Sequence, residues 1–198
     1  MITNVQLIKF AESKIGTPYV YGMKGEVMTL YKYNGLKKAH GSLVWDSDKE
    51  KVGKVCVDCS GLISWATGIV RGSSQYKDAA REINPISTIS YAPIGAAVWR
   101  KGHIGIYIGN GEYIAADGSS YGVRKNKLSK ADFTHWFKIS DIEYEEGKVM
   151  EKRYSKVSEL PVWAKPIIQK LVSEKKIADP NNLDLSEDML RVICILKR

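Results

Sequence analysis

The spacing of apolar residues predicts helices followed by clustered strands in the first part of the chain. An apolar stripe predicts a helix over residues 4–14, which Thr3 or Asn4 can cap, and a continuous apolar run predicts a buried helix over residues 60–70. Strand-like runs occur at residues 96–99, 104–108, 112–115, 122–125 and 136–139. Asn110-Gly111 separates the second run from the third and is typical of a hairpin turn. This order of elements predicts an α+β fold with a small antiparallel sheet.

Two segments lack a clear pattern. Residues 23–55 form a long polar stretch, which is typical of a functional loop or a mobile cover. Residues 141–158 are charged and weakly patterned, so they predict a linker between a domain over residues 1–140 and a C-terminal module over residues 159–198. Apolar positions in that module predict a helical hairpin, with Ser186 capping its second helix. A unit of about 40 residues is marginal by itself, so the hairpin is expected to pack on another surface.

Composition and charge narrow the classes of protein. The chain has 198 residues, of which 44% are hydrophobic and 26% are charged, as in ordinary globular proteins. No apolar run approaches the ~18–20 residues that span a membrane. The N-terminus lacks the apolar core and cleavage site of a secretory signal, so we expect synthesis in the cytoplasm. The net charge of +8 favours anionic partners such as nucleic acid, acidic lipid or phosphate-bearing polymers, and charge alone does not choose among them.

The sharpest local feature is the run Asp58-Cys59-Ser60-Gly61 at the start of an apolar helix. A helix N-terminus stabilises a thiolate, and the thiolate is the nucleophilic form of cysteine. A small buried cysteine with a purely structural role would occupy the same position. Cys56 forms a single C-x-x-C with Cys59, and without a second pair of ligands a structural zinc site is not expected. Cys56 is expected to be a passive thiol or to form a reversible disulfide with Cys59.

A nucleophilic cysteine needs a base, and the chain offers three histidines. His103 stands at the head of a predicted strand beside a hairpin, which is a rigid place for an imidazole. His40 lies in the polar stretch and is expected to be solvated. His135 precedes Trp136 and is expected to be a packed histidine. His103 is therefore the candidate base.

Three segments together resemble the NlpC/P60 family of papain-like cell-wall cysteine peptidases, over roughly residues 4–140. They read TPYVYG, DCSGLISW and GHIGIYIGNGEYI. The resemblance implies a core in which a cysteine at a helix N-terminus packs on a small antiparallel sheet that carries the histidine. It implies that Cys59 is the nucleophile and His103 the base, and that Tyr19, Asp58 and Ser60 contact the substrate. It implies no metal and no cofactor, because cysteine and histidine suffice.

The sequence departs from that family at the residue that orients the base. The family usually places a third polar residue, most often histidine, twelve positions after the base, where this chain has Ala115. Asp117 is the nearest ionisable acceptor and the candidate third catalytic residue. A hairpin loop with an odd number of residues centred on Asn110 would place Asp117 opposite His103, whereas a two-residue turn would place Gly118 there. As an alternative, Asp117 would only cap the turn before Gly118.

The long segment before Asp58 resembles the version found in endolysins of phages of Gram-positive bacteria, with YGxKG at its start and GKxCxDCSGLISW at its end. The resemblance implies a peptidoglycan hydrolase that cleaves an amide of the stem peptide after γ-D-glutamate, made in the bacterial cytoplasm and acting on the wall after release. Alternatives are a muramoyl-alanine amidase, an acyl transferase and a catalytically inactive wall-binding protein. The expected partners are peptidoglycan and anionic wall polymers, with no nucleic acid and a monomeric state. The C-terminal module loosely resembles a wall-targeting unit.

Overall fold

The computed structural model describes residues 1–145, 153–177 and 179–196, and its contacts divide the chain into two compact units. The first unit is Met1–Val149 and the second is Met150–Arg198. Each unit has its own cluster of buried apolar side chains. No helix among the described residues is long and apolar enough to cross a membrane.

Most helices of the first unit start at side-chain caps. They are α1 (Asn4–Ser13), α2 (Leu30–His40), α3 (Cys59–Thr67) and α4 (Ser73–Asp78). The Thr3 hydroxyl accepts a hydrogen bond from the Gln6 N–H, while the Gln6 side chain accepts one from the Thr3 N–H, so a capping box starts α1 as predicted. α3 ends at Gly68, which adopts the left-handed conformation with φ of 75°. The helix therefore stops three residues before the predicted end at residue 70.

Strands of the first unit form one six-stranded sheet and two small pairs. They are β1 (Ile2–Thr3), β2 (Lys24–Val27), β3 (Val55–Val57), β4 (Ile83–Pro85), β5 (Ala97–Arg100), β6 (His103–Gly109), β7 (Glu112–Ala116), β8 (Val123–Lys127), β9 (His135–Phe137) and β10 (Ile142–Glu143). The sheet order is β4-β9-β5-β6-β7-β8, and its neighbouring strands are antiparallel. Side chains of α1 and α3, such as Leu7 and Leu62, pack with Ile104, Ile106 and Ile114 of the sheet. The predicted α+β architecture is confirmed.

The β6–β7 hairpin combines the two turn geometries that the sequence left open. Asn110 and Gly111 have φ values of 52° and 71°, so a two-residue turn lies between the paired Gly109 and Glu112. Ile108 is then an extra residue, because Tyr107 pairs with Tyr113. This β-bulge shifts the register by one position. Continued along the strands, the shifted register places His103 opposite Asp117 rather than Gly118.

The polar stretch over residues 23–55 is folded, contrary to the expectation of a loop without regular structure. β2 pairs with β3. In the sequence, α2 and two short 3₁₀ turns connect these two strands. A small apolar cluster holds the segment together; it contains Val20, Met23, Met28, Tyr33, Val44 and Cys56. The helical pattern is weak in the sequence because Tyr33 is the only buried residue of α2.

Described residues at both ends of the predicted linker belong to regular structure. Ile142 and Glu143 form β10, which pairs in parallel with β1, and the neighbouring Asp141 forms an ion pair with Arg71. Residues 146–152, in the middle of the predicted linker, lie outside the described residues. The first unit therefore extends beyond residue 140, because β1 needs β10 as its partner.

The second unit contains the predicted helical hairpin. Its elements are β11 (Arg153–Tyr154), α5 (Lys165–Ser173), β12 (Leu185–Ser186) and α6 (Glu187–Leu196). The Ser186 hydroxyl accepts a hydrogen bond from the Met189 N–H, as expected of the cap of α6. β11 pairs with β12, so Tyr154 joins the buried cluster of this unit instead of belonging to a linker.

Candidate active site

Cys59 is the first residue of α3, immediately after β3. Its side chain belongs to the cluster between the helices and the sheet, and 8% of the residue remains exposed. The first N–H groups of a helix have no carbonyl partner inside the helix, and the helix dipole is positive at this end. Sulfur at this position therefore has backbone donors near any negative charge that forms on it or on an attacked carbonyl.

Asp58 and Ser60, on either side of the cysteine, form a polar network that holds the start of α3. The Asp58 carboxylate accepts hydrogen bonds from the Gly61 N–H at 2.5 Å and from the Ser60 hydroxyl at 2.9 Å. Lys24 Nζ donates to both Asp58 oxygens, at 2.8 and 2.9 Å, and to Ser60 Oγ at 2.7 Å. Both residues are buried, and their polar atoms are engaged within the protein. The network gives them a structural role, and substrate contact by either remains a prediction.

His103 begins β6 and is held from two sides. Its Nε2 lies 3.1 Å from Oδ1 of Asp117, and its ring stacks on Phe133 with a centroid distance of 5.6 Å and an interplanar angle of 11°. The Cys59 thiol interacts with the same imidazole. Because Asp117 engages Nε2, Nδ1 is the nitrogen left for the thiol. The structure thus brings Cys59, His103 and Asp117 together in one row.

Asp117 is a buried carboxylate with three partners. Besides His103, it accepts hydrogen bonds from Arg124 Nε at 2.7 Å and from the Tyr113 hydroxyl at 3.3 Å. Burial raises the pKa of Asp117, but His103 and Arg124 outweigh it and hold the pKa below its ordinary value. Asp117 therefore remains an anion beside the imidazole, which is what an orienting residue requires.

Charge in this row favours the imidazolium form of His103. Burial alone would lower the pKa of His103, but the Asp117 carboxylate and the Cys59 thiol raise it to about 9. The raised value indicates a site in which the proton resides on His103, beside the negative charge of Asp117.

Tyr19 reaches the same site from the segment that precedes the folded polar stretch over residues 23–55, which we call the insertion. Burial, followed by the negative charges at Cys59 and Asp58, raises the pKa of Tyr19, so its hydroxyl keeps its proton and can donate a hydrogen bond. Tyr19 also lines a polar cavity of about 330 Å³ together with His103 and Asp117. The predicted position of Tyr19 at the site agrees with the geometry, and its role in binding remains a prediction.

The NlpC/P60 family model matches residues 16–141, which contain the whole row of site residues. The chain belongs to the NlpC/P60 family. The family resemblance predicted from the three sequence segments is therefore confirmed.

Solved structures similar to this NlpC/P60 protein include the peptidoglycan hydrolase RipB from Mycobacterium tuberculosis, with 30% identity over 71% of this chain and a TM-score of 0.49. The P60 domain of an M. avium subspecies paratuberculosis antigen has 24% identity over 71% of this chain, 96% of its own chain and a TM-score of 0.48. NlpC1 from Trichomonas vaginalis has 18% identity over 69% of this chain and a TM-score of 0.48. The match spans 65% of RipB and 44% of NlpC1. No curated protein sequence matches significantly.

The remaining histidines and cysteines of this NlpC/P60 protein have other surroundings. His40 contacts the Tyr21 ring, and Nδ1 of His135 lies 2.8 Å from the Thr134 hydroxyl. Cys56 is fully buried in the cluster of the insertion, and burial raises the pKa of its thiol. The three cysteines are free thiols. Among the described residues, no group of three or more His, Cys, Asp or Glu side chains could hold a metal ion.

A buried ion pair between Lys51 and Asp48 connects the insertion of this NlpC/P60 domain to the active site, and the sequence did not predict it. Lys51 Nζ donates to Asp48 Oδ1 at 2.6 Å, to the Tyr19 carbonyl at 2.8 Å and to the Ser119 carbonyl at 2.9 Å. Asp48, which is fully buried, also accepts from the Ser119 hydroxyl at 3.2 Å. Lys51 thus joins the insertion to Tyr19 and to the turn that follows Asp117.

Replacing Lys51 with methionine is expected to lower the free energy of unfolding by about 3–5 kcal/mol, because Asp48 would be left as a buried charge without its cation. Chemical denaturation followed by tryptophan fluorescence measures the loss. The exposed Lys49 is in the same turn, so Lys49→Met is the matched control and should change stability by at most about 0.5 kcal/mol. The double variant Asp48→Asn/Lys51→Met should recover part of the loss. Equal stability of the Lys51 and Lys49 variants would contradict this account.

Proposed function

We propose that the protein hydrolyses an amide bond in the stem peptide of bacterial peptidoglycan, with Cys59 as nucleophile, His103 as acid and base, and Asp117 as the orienting residue. The observation that carries the proposal is the row in which the Cys59 thiol meets an imidazole whose other nitrogen lies 3.1 Å from a buried carboxylate. Nucleophile, base and orienter in hydrogen-bonding order are the arrangement that acyl transfer requires. Membership of the NlpC/P60 family supports the substrate.

The proposed reaction starts with His103 in its imidazolium form. The Cys59 thiolate attacks the carbonyl carbon, and the charge that develops on oxygen is stabilised by N–H groups at the start of α3 and by the Tyr19 hydroxyl. His103 gives its proton to the leaving amine as the C–N bond breaks and a thioester forms. Neutral His103 then takes a proton from water, which attacks the thioester and releases the carboxylic acid, and the proton on His103 restores the imidazolium. Asp117 stabilises that cation in both steps.

Family resemblance supports the bond after γ-D-glutamate as the one cleaved. The insertion at residues 23–55, with its endolysin-like ends, supports a phage lysin that is made in the host cytoplasm and reaches the wall after release. Peptidoglycan is the proposed partner, and the net charge of +8 favours additional contact with anionic wall polymers.

Digestion of purified cell walls, with mass analysis of the fragments, tests the proposal. The expected product carries a new amine on the diamino acid and a new carboxylate on D-glutamate. A new amine on alanine with a free lactyl carboxylate would assign a muramoyl-alanine amidase instead. Transfer of the acyl group to an added amine would identify a transferase. Unchanged walls, with protein that still binds them, would support an inactive wall-binding protein.

The activity is expected to fall at alkaline pH as His103 loses its proton near pH 9. Because the pKa of His103 is raised from 6.5 in the folded state, its contribution to stability is fully present below pH 6.5 and is lost as pH rises to about 9. Profiles of kcat/KM and of the free energy of unfolding between pH 6 and pH 10 measure both effects. Activity lost already near pH 6.5, at constant stability, would contradict the raised pKa.

We propose that the second unit binds the cell wall. A protein ending at residue 149 should stay folded, because the buried clusters of the first unit lie entirely within it. It should keep its activity on soluble peptides but sediment less with intact walls. In the full chain, Ile168→Asp should disrupt only the buried cluster of the second unit and cause the same loss of wall binding. Undiminished wall binding by both proteins would contradict this role.

A further inference from the structure

The polar cavity beside His103 has positively charged walls. Besides the site residues, its lining includes Arg100, Arg124 and Lys130. The acidic residues of the lining are Asp117, which is buried, and Asp132, whose side chain is 81% exposed. With His103 as imidazolium, cations outnumber anions around a space of about 330 Å³. Such a wall attracts an anionic group to a position next to the base.

Arg124 is held so that part of its guanidinium remains available. Its Nε donates to Asp117 Oδ2 at 2.7 Å, and its planar head lies 4.0 Å from the centre of the Tyr121 ring. Neither terminal amino group of Arg124 bonds to a described residue. The ion pair and the ring fix the orientation of the plane, and the two terminal N–H₂ groups offer donors to a ligand. A planar guanidinium of fixed orientation is suited to a carboxylate, which can accept two parallel hydrogen bonds.

Lys130 and Arg100 add mobile positive charge at the rim. Lys130 is exposed and forms no ion pair or hydrogen bond with a described residue. Arg100 pairs with the largely exposed Asp132 at 2.8 Å, and exposed pairs of this kind are weak. Both side chains can therefore turn towards an anion in the cavity at little cost.

We propose that this cavity is a subsite for the free α-carboxylate of the γ-linked glutamate that precedes the scissile amide, with Arg124 and Lys130 as the residues that bind it. The subsite rests on the proposed function, because its position is defined by the catalytic His103. Arg124 is hydrogen-bonded to Asp117 and therefore lies beside the catalytic row. A carboxylate bound by Arg124 would consequently belong to the same molecule as the scissile amide. The protein thus distinguishes peptides with a free carboxylate near the scissile bond from those in which it is amidated.

Calorimetric binding to the full chain carrying Cys59→Ala tests the subsite. Two peptides are compared, L-alanyl-γ-D-glutamyl-diaminopimelate and the same peptide with the glutamate α-carboxylate amidated. The carboxylate form should bind about tenfold more tightly. Lys130→Gln and Arg124→Gln should each reduce this preference towards unity. Lys127→Gln removes an exposed charge at the end of β8, outside the cavity lining, and should leave the preference unchanged.

Each outcome bears on the subsite separately from the reaction. The Lys130 side chain forms no hydrogen bond or ion pair with His103 or Asp117, so a lost preference in Lys130→Gln reports recognition and not damage to the catalytic row. Equal affinity for the two peptides, or a preference that survives both substitutions, overturns the subsite. Tight binding of glycerol phosphate oligomers without any peptide preference also overturns it, because the anion would then belong to a wall polymer. Intact walls after digestion, together with a retained carboxylate preference, would remove the proposed reaction and leave the subsite standing.

Discussion

Replacing Cys59 with alanine is expected to lower kcat/KM on wall peptides on the order of 10⁴- to 10⁶-fold, because the substitution removes the nucleophile itself. The change is small and lies at the first position of α3, so the fold should persist. Peptide release from purified walls measures the activity, and thermal unfolding checks the fold. An alanine variant that clears walls at the original rate would eliminate the cysteine mechanism.

Cys56 provides the matched control for that variant. Its thiol lies in the apolar cluster of the insertion and is fully buried, so Cys56→Ser should retain turnover in reducing buffer even if stability decreases. Alkylation offers a second measurement, because Cys59 and Cys194 have similar exposures of 8% and 6%. Faster alkylation of Cys59 at neutral pH would report activation rather than access. A loss in Cys56→Ser equal to that in Cys59→Ala would show that the nucleophile had been assigned wrongly.

The second large effect is expected for Asp117→Asn, which should lower turnover by about 10²–10⁴-fold. Asparagine keeps the shape but not the charge, so the imidazolium of His103 loses its stabilising anion and the tautomer is no longer fixed. The fall of activity at alkaline pH should also move to lower pH, because Asp117 raises the pKa of His103. Steady-state kinetics across the pH range measure both changes.

Ser119→Ala is the control for Asp117, since Ser119 lies on the same turn but its hydroxyl contacts Asp48 rather than the base. It should keep the pH profile. Full turnover in Asp117→Asn, with an unchanged alkaline limb, would remove Asp117 from the mechanism. A loss of turnover without a shift of that limb would indicate that the residue merely holds the turn.

The start of α3 and the strand that carries His103 could be predicted because their signals are local. Asp58 caps the helix through its own side chain, and Asn110-Gly111 forms the turn that this pair favours. The position of Asp117 could not be predicted from the turn alone. It depends on the bulge at Ile108, and nothing in the apolar sequence around Ile108 distinguishes a bulged strand from a regular one.

The insertion was mispredicted for a different physical reason. α2 buries a single side chain, Tyr33, so it lacks the apolar stripe by which helices are detected. Lys51 and Asp48 look like solvated charges in a polar stretch, yet they pair inside the protein. Arg124 was missed because it lies on β8, outside the three sequence segments that resemble the family, and its contact with Asp117 is not local in sequence. In the structure, β8 pairs with β7 so that Arg124 lies opposite Ala115, and this pairing brings Arg124 close to Asp117.

The bulge at Ile108 has a consequence for how such hairpins change length during evolution. A chain from which Ile108 is deleted would close as a regular hairpin, with Tyr107 still opposite Tyr113 and His103 still opposite Asp117. Gain or loss of one codon near the hairpin tip can therefore be absorbed without separating the base from its partner. The number of residues between His103 and Asp117 can then change while the two residues remain opposite each other. Alignments anchored on a fixed spacing would misplace the orienting residue, whereas cross-strand pairing would identify it.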